Sequence, residues 1–401
     1  MSGAGLLERP APSGGAPLPQ LDALRGAAIL AVFTQHFGDR FLPFVEERVA
    51  ASTPAALAPW ILTVIHHAFW GVDLFFVLSG FTLARGYLAG RAPSAGRFFL
   101  RRAARIFPGY LVALAVTLAF HRFVFESPSF PMALAAHLLV LQGYWAPGGV
   151  VIIGALWSLT TEVHYYLLAP FLSRWALTNR RLWLLGLVVL GSFAARAACH
   201  AAFLDEPGVR TWIFEASQRR WITSRLDEFV LGAMAAALHA SAMASPHRAR
   251  LARLAPAFTA LAAALVVVSF RLEGELYLMP GGSWTAGVMA LGTASLVLSV
   301  ALLEGRALSL AAPRWLRAVG VVSYGVFLYH QLAQGIVGAR LPGTGWPVLL
   351  ENLALSLALA LGMGAASWVV VERPAIAWVA RLEERRRARA LSPILVQDHR
   401  A

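Results

Sequence analysis

The sequence predicts an all-α polytopic membrane protein of about ten transmembrane helices, with both termini in the cytoplasm. Three observations carry that expectation: an excess of apolar residues, apolar runs of helix-spanning length along nearly the whole chain, and clusters of arginine in alternate loops. Of the 401 residues, 58% are hydrophobic and 14% charged, and the mean hydropathy is +0.63. A soluble domain carries about 25% charge and 45–50% apolar residues. Lipid is the solvent that accommodates the difference.

A helix needs about 20 apolar residues to cross the hydrocarbon core. Candidate spans lie near 20–38, 58–84, 105–121, 155–173, 182–200, 222–240, 254–270, 284–303, 318–338 and 346–371. The stretch from Met132 to Tyr144 is too short and reads as an interfacial or re-entrant piece. The segment before residue 17 is rich in Pro, Gly and Ala and lacks the basic and apolar regions of a signal peptide. Residues 1–16 therefore read as a flexible cytoplasmic N-terminus, 17–373 as the transmembrane domain, and 374–401 as a charged cytoplasmic tail at the water or lipid surface.

Orientation follows from the loops. The formal net charge is +13 and lysine is absent, so every basic side chain apart from histidine is arginine. The loop after the second span carries Arg85, Arg91, Arg97, Arg101, Arg102 and Arg105 with no acid among them. Alternate later loops carry Arg174 and Arg181, then Arg248 and Arg253, then Arg314 and Arg317, whereas the intervening loops hold Asp39, Glu46, Asp205, Glu215 and Glu273. Arginine marks the cytoplasmic side. This distribution excludes nucleic acid as the partner of the positive charge and points to the lipid surface. The single cysteine, Cys199, excludes an intramolecular disulfide, and no cluster of metal-ligating residues is evident.

Ionisable groups inside the spans cost several kcal/mol in hydrocarbon and mark functional sites. The first span holds Asp22, Arg25 and His36. Arg25 and His36 are eleven positions apart, about three turns, so they share one face roughly 16 Å apart along the axis. The second span holds Asp73 and Ser79 within Gly-Val-Asp-Leu-Phe-Phe-Val-Leu-Ser-Gly-Phe, and Asp73 requires a facing cation, with Arg25 or His36 as candidates. Arg102 and Arg105 lie one turn apart at a cytoplasmic helix start, a placement suited to phosphate groups or to simple anchoring. Trp157, Ser158 and Glu162 open the fourth span, with Ser158 and Glu162 on one face. Arg225 and Glu228 open the sixth span as an i, i+3 pair, and Tyr324 and His330 lie in the ninth. His66, His67, His121 and His137 sit near outer ends and read as interfacial.

The series Leu-Asp-Ala-Leu-Arg-Gly with His36 downstream, Gly-Val-Asp-Leu-Phe-Phe-Val-Leu-Ser-Gly-Phe, Arg-Arg-Ala-Ala-Arg-Ile-Phe-Pro, Trp-Ser-Leu-Thr-Thr-Glu and Ser-Tyr-Gly-Val-Phe-Leu-Tyr-His resembles the acyltransferase-3 family of bacterial membrane O-acyltransferases. The resemblance spans about residues 17 to 373. It implies a multi-pass protein of the bacterial inner membrane that moves an acetyl or other short acyl group to a hydroxyl of a carbohydrate or glycosylated acceptor. The donor it implies is acyl-coenzyme A, with acetyl-coenzyme A as the usual co-substrate and no permanently bound cofactor. It places Arg25 and His36 in catalysis and maps an Arg-x-x-Arg pattern onto Arg102 and Arg105. Many relatives carry two acids and a glutamine in the fourth motif, where this chain has Glu162, Val163 and His164. Chemically, His36 is the expected base, oriented by Asp73 or Glu162. Ser79, Trp157, Ser158, Arg225, Tyr324 and His330 are expected as substrate or structural support. The rival class is a transporter with an intramembrane Asp/Arg/His path, which the absence of an inverted repeat or broken-helix pair disfavours.

Overall fold

The computed structural model describes residues 18–52, 68–90, 92–144, 151–179, 181–203, 220–276, 282–303, 305–341 and 345–398, together with Leu57 and Leu62. His66, His67, Arg91, Asp205 and Glu215 lie outside the described residues. The described residues are helices and short connections, with no strand among them. The order begins α1 (Pro19–Ser52), α2 (Trp70–Leu88), α3 (Ala95–Phe120), α4 (Phe130–Leu138), α5 (Trp157–Leu172) and α6 (Trp183–Phe203). It continues with α7 (Ile222–Ala244), α8 (Arg248–Ala252), α9 (Ala255–Leu276), α10 (Gly282–Leu302) and α11 (Gly305–Ala311). The last four are α12 (Arg314–Val321), α13 (Ser323–Arg340), α14 (Trp346–Ser367) and α15 (Arg373–Asp398). Wide π turns extend α5 over Ser173–Thr178 and join α14 to α15 over Trp368–Glu372.

A helix stands at each of the ten expected places. Six helical stretches among the described residues are long and apolar enough to cross a membrane: Trp70–Leu88, Ala95–Phe120, Ile222–Ala244, Arg248–Phe270, Thr285–Leu302 and Trp346–Arg386. The other four places are α1, α5, α6 and α13. In α6 the described apolar stretch is short, Trp183–Cys199. α1, α5 and α13 carry Arg25, Glu162 and His330, and such polar groups lower a helix's hydropathy. Side chains such as Phe120, Phe171, Leu190, Leu350 and Val370 lie outward and exposed, forming the apolar coat of a protein that lives in lipid.

Several boundaries differ from expectation, each for a local reason. α2 begins at Trp70, after a turn in which the Ala68 and Phe69 carbonyls accept from Gly71 and Val72. α3 begins ten residues early at Ala95, so Arg97, Arg101, Arg102 and Arg105 belong to a helix rather than a loop. Their long apolar stems allow a helix to pass through the interface with the charged heads displaced. α1 runs on to Ser52, and the segment after Arg373 is helical as far as Asp398. The short segment near 132–144 forms the nine-residue α4 followed by a turn at Val140, whose φ is +57°, so it does not cross. His137 on α4 is buried rather than interfacial, because its Nδ1 donates to the Ala133 carbonyl at 2.8 Å while its own carbonyl accepts from Tyr110 at 2.7 Å.

Two glycine contacts set the geometry of the site. A Cβ on Gly80 would lie 1.8 Å from the Phe229 carbonyl oxygen, and one on Gly232 would lie 2.1 Å from that of Val77. α2 and α7 therefore touch backbone to backbone. Gly26 and Gly320 do the same for α1 and α12, with a Cβ on Gly320 falling 1.7 Å from the Asp22 carbonyl oxygen. Close approach through small residues is the usual means of packing helices in lipid, where apolar burial supplies no driving force between them. Buried apolar side chains gather in two clusters. One includes Ile29, Phe33, Tyr165, Phe327 and Trp368, and the other Leu74, Val77, Ala236 and Val297.

Candidate active site

A cavity of about 390 Å³ lies between α1, α2, α3, α5, α13 and the start of α15. Four guanidinium groups line it, Arg25, Arg101, Arg102 and Arg105, against two carboxylates, Glu162 and Glu383. Arg25 is tethered: it donates to Asp22 on its own helix at 2.7 Å and to the Thr82 hydroxyl on α2 at 3.0 Å. Arg101 is held by both oxygens of Glu383 on α15. The Arg102 guanidinium stacks 5.5 Å over the Tyr166 ring, and its buried Nε has no hydrogen-bond partner among the described residues. On the opposite wall, Ser79 donates to Glu162 Oε1 at 3.3 Å, and the Tyr166 hydroxyl donates to the same oxygen. Ser158, Glu162 and Tyr166 follow one another at i, i+4, i+8, which puts all three on one face of α5. Phe75, Phe76, Leu159, Phe327 and Trp368 give the remainder of the cavity apolar walls.

His36 and His330 form a second group. The His330 Nε2 lies 3.2 Å from His36 Nδ1, with ring centroids 4.8 Å apart in an edge-on arrangement. His36 Nδ1 also lies 2.9 Å from the Val32 carbonyl oxygen, and His330 Nδ1 lies 2.8 Å from that of Phe327. Gln334, one turn beyond His330, donates to the Phe33 carbonyl at 3.1 Å and so pins α13 to α1 beside the pair. Phe327 belongs to both groups, since it lines the cavity and its carbonyl holds His330.

Asp73 faces neither Arg25 nor His36. Its partner is Arg225 on α7, at 2.7 Å, because the Gly80–Gly232 contact brings α2 against α7 and leaves that guanidinium opposite it. Arg225 also pairs with Glu228, as expected for that spacing, and lies 5.9 Å from the Trp157 ring centre. Beside them Arg196 pairs with Asp227 at 2.7 Å, both groups fully buried. These groups lie apart from the cavity lining, as does Trp157.

Of the sequence-nominated residues, the cavity thus gathers Arg25, Ser79, Arg102, Arg105, Ser158, Glu162 and Tyr324. His36 pairs with His330 rather than with Asp73, which pairs with Arg225, or Glu162, which accepts from Ser79 and Tyr166. Tyr324 donates to the Ile106 carbonyl at 2.9 Å and links α13 to α3. His164, two residues beyond Glu162, lies against Tyr144 at a ring-centre distance of 5.5 Å. Sequence reasoning missed Thr82, Trp368 and Glu383 as lining residues and noted Arg101 only as a loop charge. The spacing from Ser158 through Tyr166 could have revealed Tyr166. No sequence signal joins Arg101 to Glu383, 282 positions away.

A cationic cavity with apolar walls, one helical turn from an imidazole pair, lies among helices that include α2, α3 and the Trp346–Arg386 stretch, long and apolar enough to cross a membrane; the setting fits a membrane-embedded enzyme. The comparisons with known proteins agree and narrow the class. Residues 18–372 match the acyltransferase domain model, and the chain belongs to that acyltransferase-3 family. It is 30% identical over 342 residues to a protein bearing the name of a membrane-bound transacylase, BcsY, of Komagataeibacter xylinus, covering 78% of this chain and 79% of that one. It is 27% identical over 354 residues to nodulation protein 10 of Rhizobium leguminosarum bv. viciae, covering 79% and 84% respectively. A shorter match, 28% over 165 residues, is to protein 2 in the picA locus of Rhizobium radiobacter, covering 36% of this chain and 75% of that one. No solved structure matches the chain significantly. The protein is a membrane O-acyltransferase.

Proposed function

We propose that this enzyme moves an acetyl or other short acyl group from acyl-coenzyme A to a hydroxyl of a carbohydrate or glycosylated acceptor in the bacterial inner membrane. The observation that carries the reading is the row of guanidinium groups in a cavity whose wall includes Phe327, itself bonded to the histidine pair. Arg102 and Arg105, with Arg25 beside them, would receive the donor's phosphates through charge-assisted hydrogen bonds. The thin pantetheine arm would run along the apolar wall past Ser79, Ser158 and Glu162 and present its thioester toward His36. Asp73, Arg225 and Trp157 belong in this reading to the framework that holds α2, α5 and α7 together.

The chemical step needs a base for the acceptor hydroxyl, and imidazole is the side chain suited to that task near neutral pH. His36 takes the hydroxyl proton as the acceptor oxygen attacks the thioester carbonyl. The C–S bond then breaks, and the coenzyme A thiolate recovers the proton from His36. Arginine-rich ends at the cytoplasmic side place the donor where coenzyme A is made, with both termini on that side. In this reading the part of Arg373–Asp398 beyond the cavity-lining Glu383 lies on the cytoplasmic side. The test is coenzyme A release from acetyl-coenzyme A and a glycan acceptor by the purified protein in detergent. His36→Ala should abolish release while insertion and thermal stability hold, and full activity in that variant would remove His36 from the chemistry.

A further inference from the structure

We infer that His330 is the positioning partner of His36, fixing its tautomer and sharing the charge it acquires, in the role that a carboxylate fills in other base-activated enzymes. The inference rests on the proposed function, since it concerns how the base His36 is prepared.

A backbone carbonyl oxygen can only accept. His330 Nδ1, 2.8 Å from the Phe327 carbonyl, therefore carries the ring proton, and His330 Nε2 of the neutral ring offers a lone pair. His36 Nδ1 faces two acceptors, the Val32 carbonyl at 2.9 Å and that lone pair at 3.2 Å, so it too must be the protonated nitrogen. The nitrogen of His36 left bare is Nε2. A chain of donors thus runs from the base through His330 to the carbonyl of Phe327, and every link has a single consistent direction.

Among the described residues no carboxylate hydrogen-bonds to either ring. Asp39, one turn beyond His36, accepts from Gln35 at 2.8 Å. Asp73 and Glu162 are bound to Arg225 and to Tyr166. His330 is fully buried, and Gln334 one turn on bonds to the α1 backbone, so the second ring is fixed relative to the first. When Nε2 of His36 takes a proton, the imidazolium forms with its Nδ1–H already shared between the Val32 carbonyl and a neutral base. His330 Nε2 stabilises that charge, and because it carries none of its own it does not hold the proton once the thiolate leaves. Hydrogen bonds to charged groups are stronger than neutral ones, so the contact is stronger in the transition state than at rest. Such a contact acts on kcat.

The test uses the full-length protein in detergent, with coenzyme A release as readout and thermal unfolding in parallel. In His330→Gln the side-chain oxygen can occupy the place of Nε2 and accept from His36. His330→Leu fills similar space with no acceptor, and His330→Met does so with a more adaptable chain should the leucine variant fail to accumulate. The expected result is a fall in kcat of about tenfold to a hundredfold for Leu or Met at unchanged donor KM, with Gln within about threefold of wild type. Near-normal kcat in the Leu or Met variant would overturn the inference, as would equal loss in Gln and Leu accompanied by equal loss of thermal stability. His36→Ala separates the two claims. If it is inactive while His330→Leu is normal, only the inference fails, whereas an active His36→Ala enzyme removes the reading beneath it.

Discussion

Arg225 is shared by two carboxylates, Asp73 and Glu228, all three buried in the interior. Breaking a buried pair by removing one partner costs about 3–5 kcal/mol, because the other charge stays behind in a medium that solvates it poorly. Arg225→Leu would strand two carboxylates and should abolish accumulation of folded protein or lower its melting temperature sharply. Asp73→Asn keeps the Arg225–Glu228 contact and should cost less stability, with little change in kcat. A large kcat loss at unchanged melting temperature would instead return Asp73 to the reaction. Arg102→Ala and Arg105→Ala should each raise the donor KM by roughly tenfold to a hundredfold, the scale of a hydrogen bond to a charged group, with acceptor KM unaffected. At this scale the sequence was informative about which residues matter and silent about their partners. Arg25 and His36 stand out because a charge and an imidazole inside an apolar run are costly. That His36 meets His330 and Asp73 meets Arg225 depends on contacts 294 and 152 positions apart.

The helices were legible wherever lipid alone decides their composition. Long apolar runs at α9, α10 and α14 fall where expected, because a helix satisfies its own backbone polar groups in hydrocarbon. Boundaries failed where charge and helix coexist. α3 starts at Ala95 and carries its arginines with it, although the hydropathy signal begins only near Arg105. What sequence pattern does not convey is how closely the helices approach. Gly80 and Gly232 make that approach possible, and Gly80→Ala would force α2 and α7 apart by placing a methyl group inside the Phe229 carbonyl's contact distance. The expected outcome is a loss of thermal stability together with loss of activity, since the Asp73–Arg225 pair spans the same interface. A Gly80→Ala protein that unfolds at the wild-type temperature would show that the interface can part without cost.

Across the whole molecule, apolar side chains coat the exterior as well as filling the two interior clusters, unlike those of a soluble enzyme. α9 shows this most clearly: only 11% of its spanning window is buried within the protein. The charged and hydrogen-bonding groups of α1, α2, α5 and α13 turn inward, where the cavity and the histidine pair lie. The C-terminal helix adds what the apolar runs did not forecast. Ile376, Val379, Ala380 and Glu383 of α15 line the cavity, and Glu383 clasps Arg101 of α3. Glu383→Gln should loosen that clasp and raise the donor KM modestly, by a few-fold, as partly exposed ion pairs contribute up to about 1 kcal/mol.

The same clasp has a consequence for the life history of the chain. A ribosome delivers α1, α2, α3 and α5 to the membrane long before it reaches Glu383. Until that residue emerges and finds Arg101, the cavity lacks one side. A chain that ended before Glu383 would carry His36, His330 and every cavity arginine, yet leave Arg101 without its clasp.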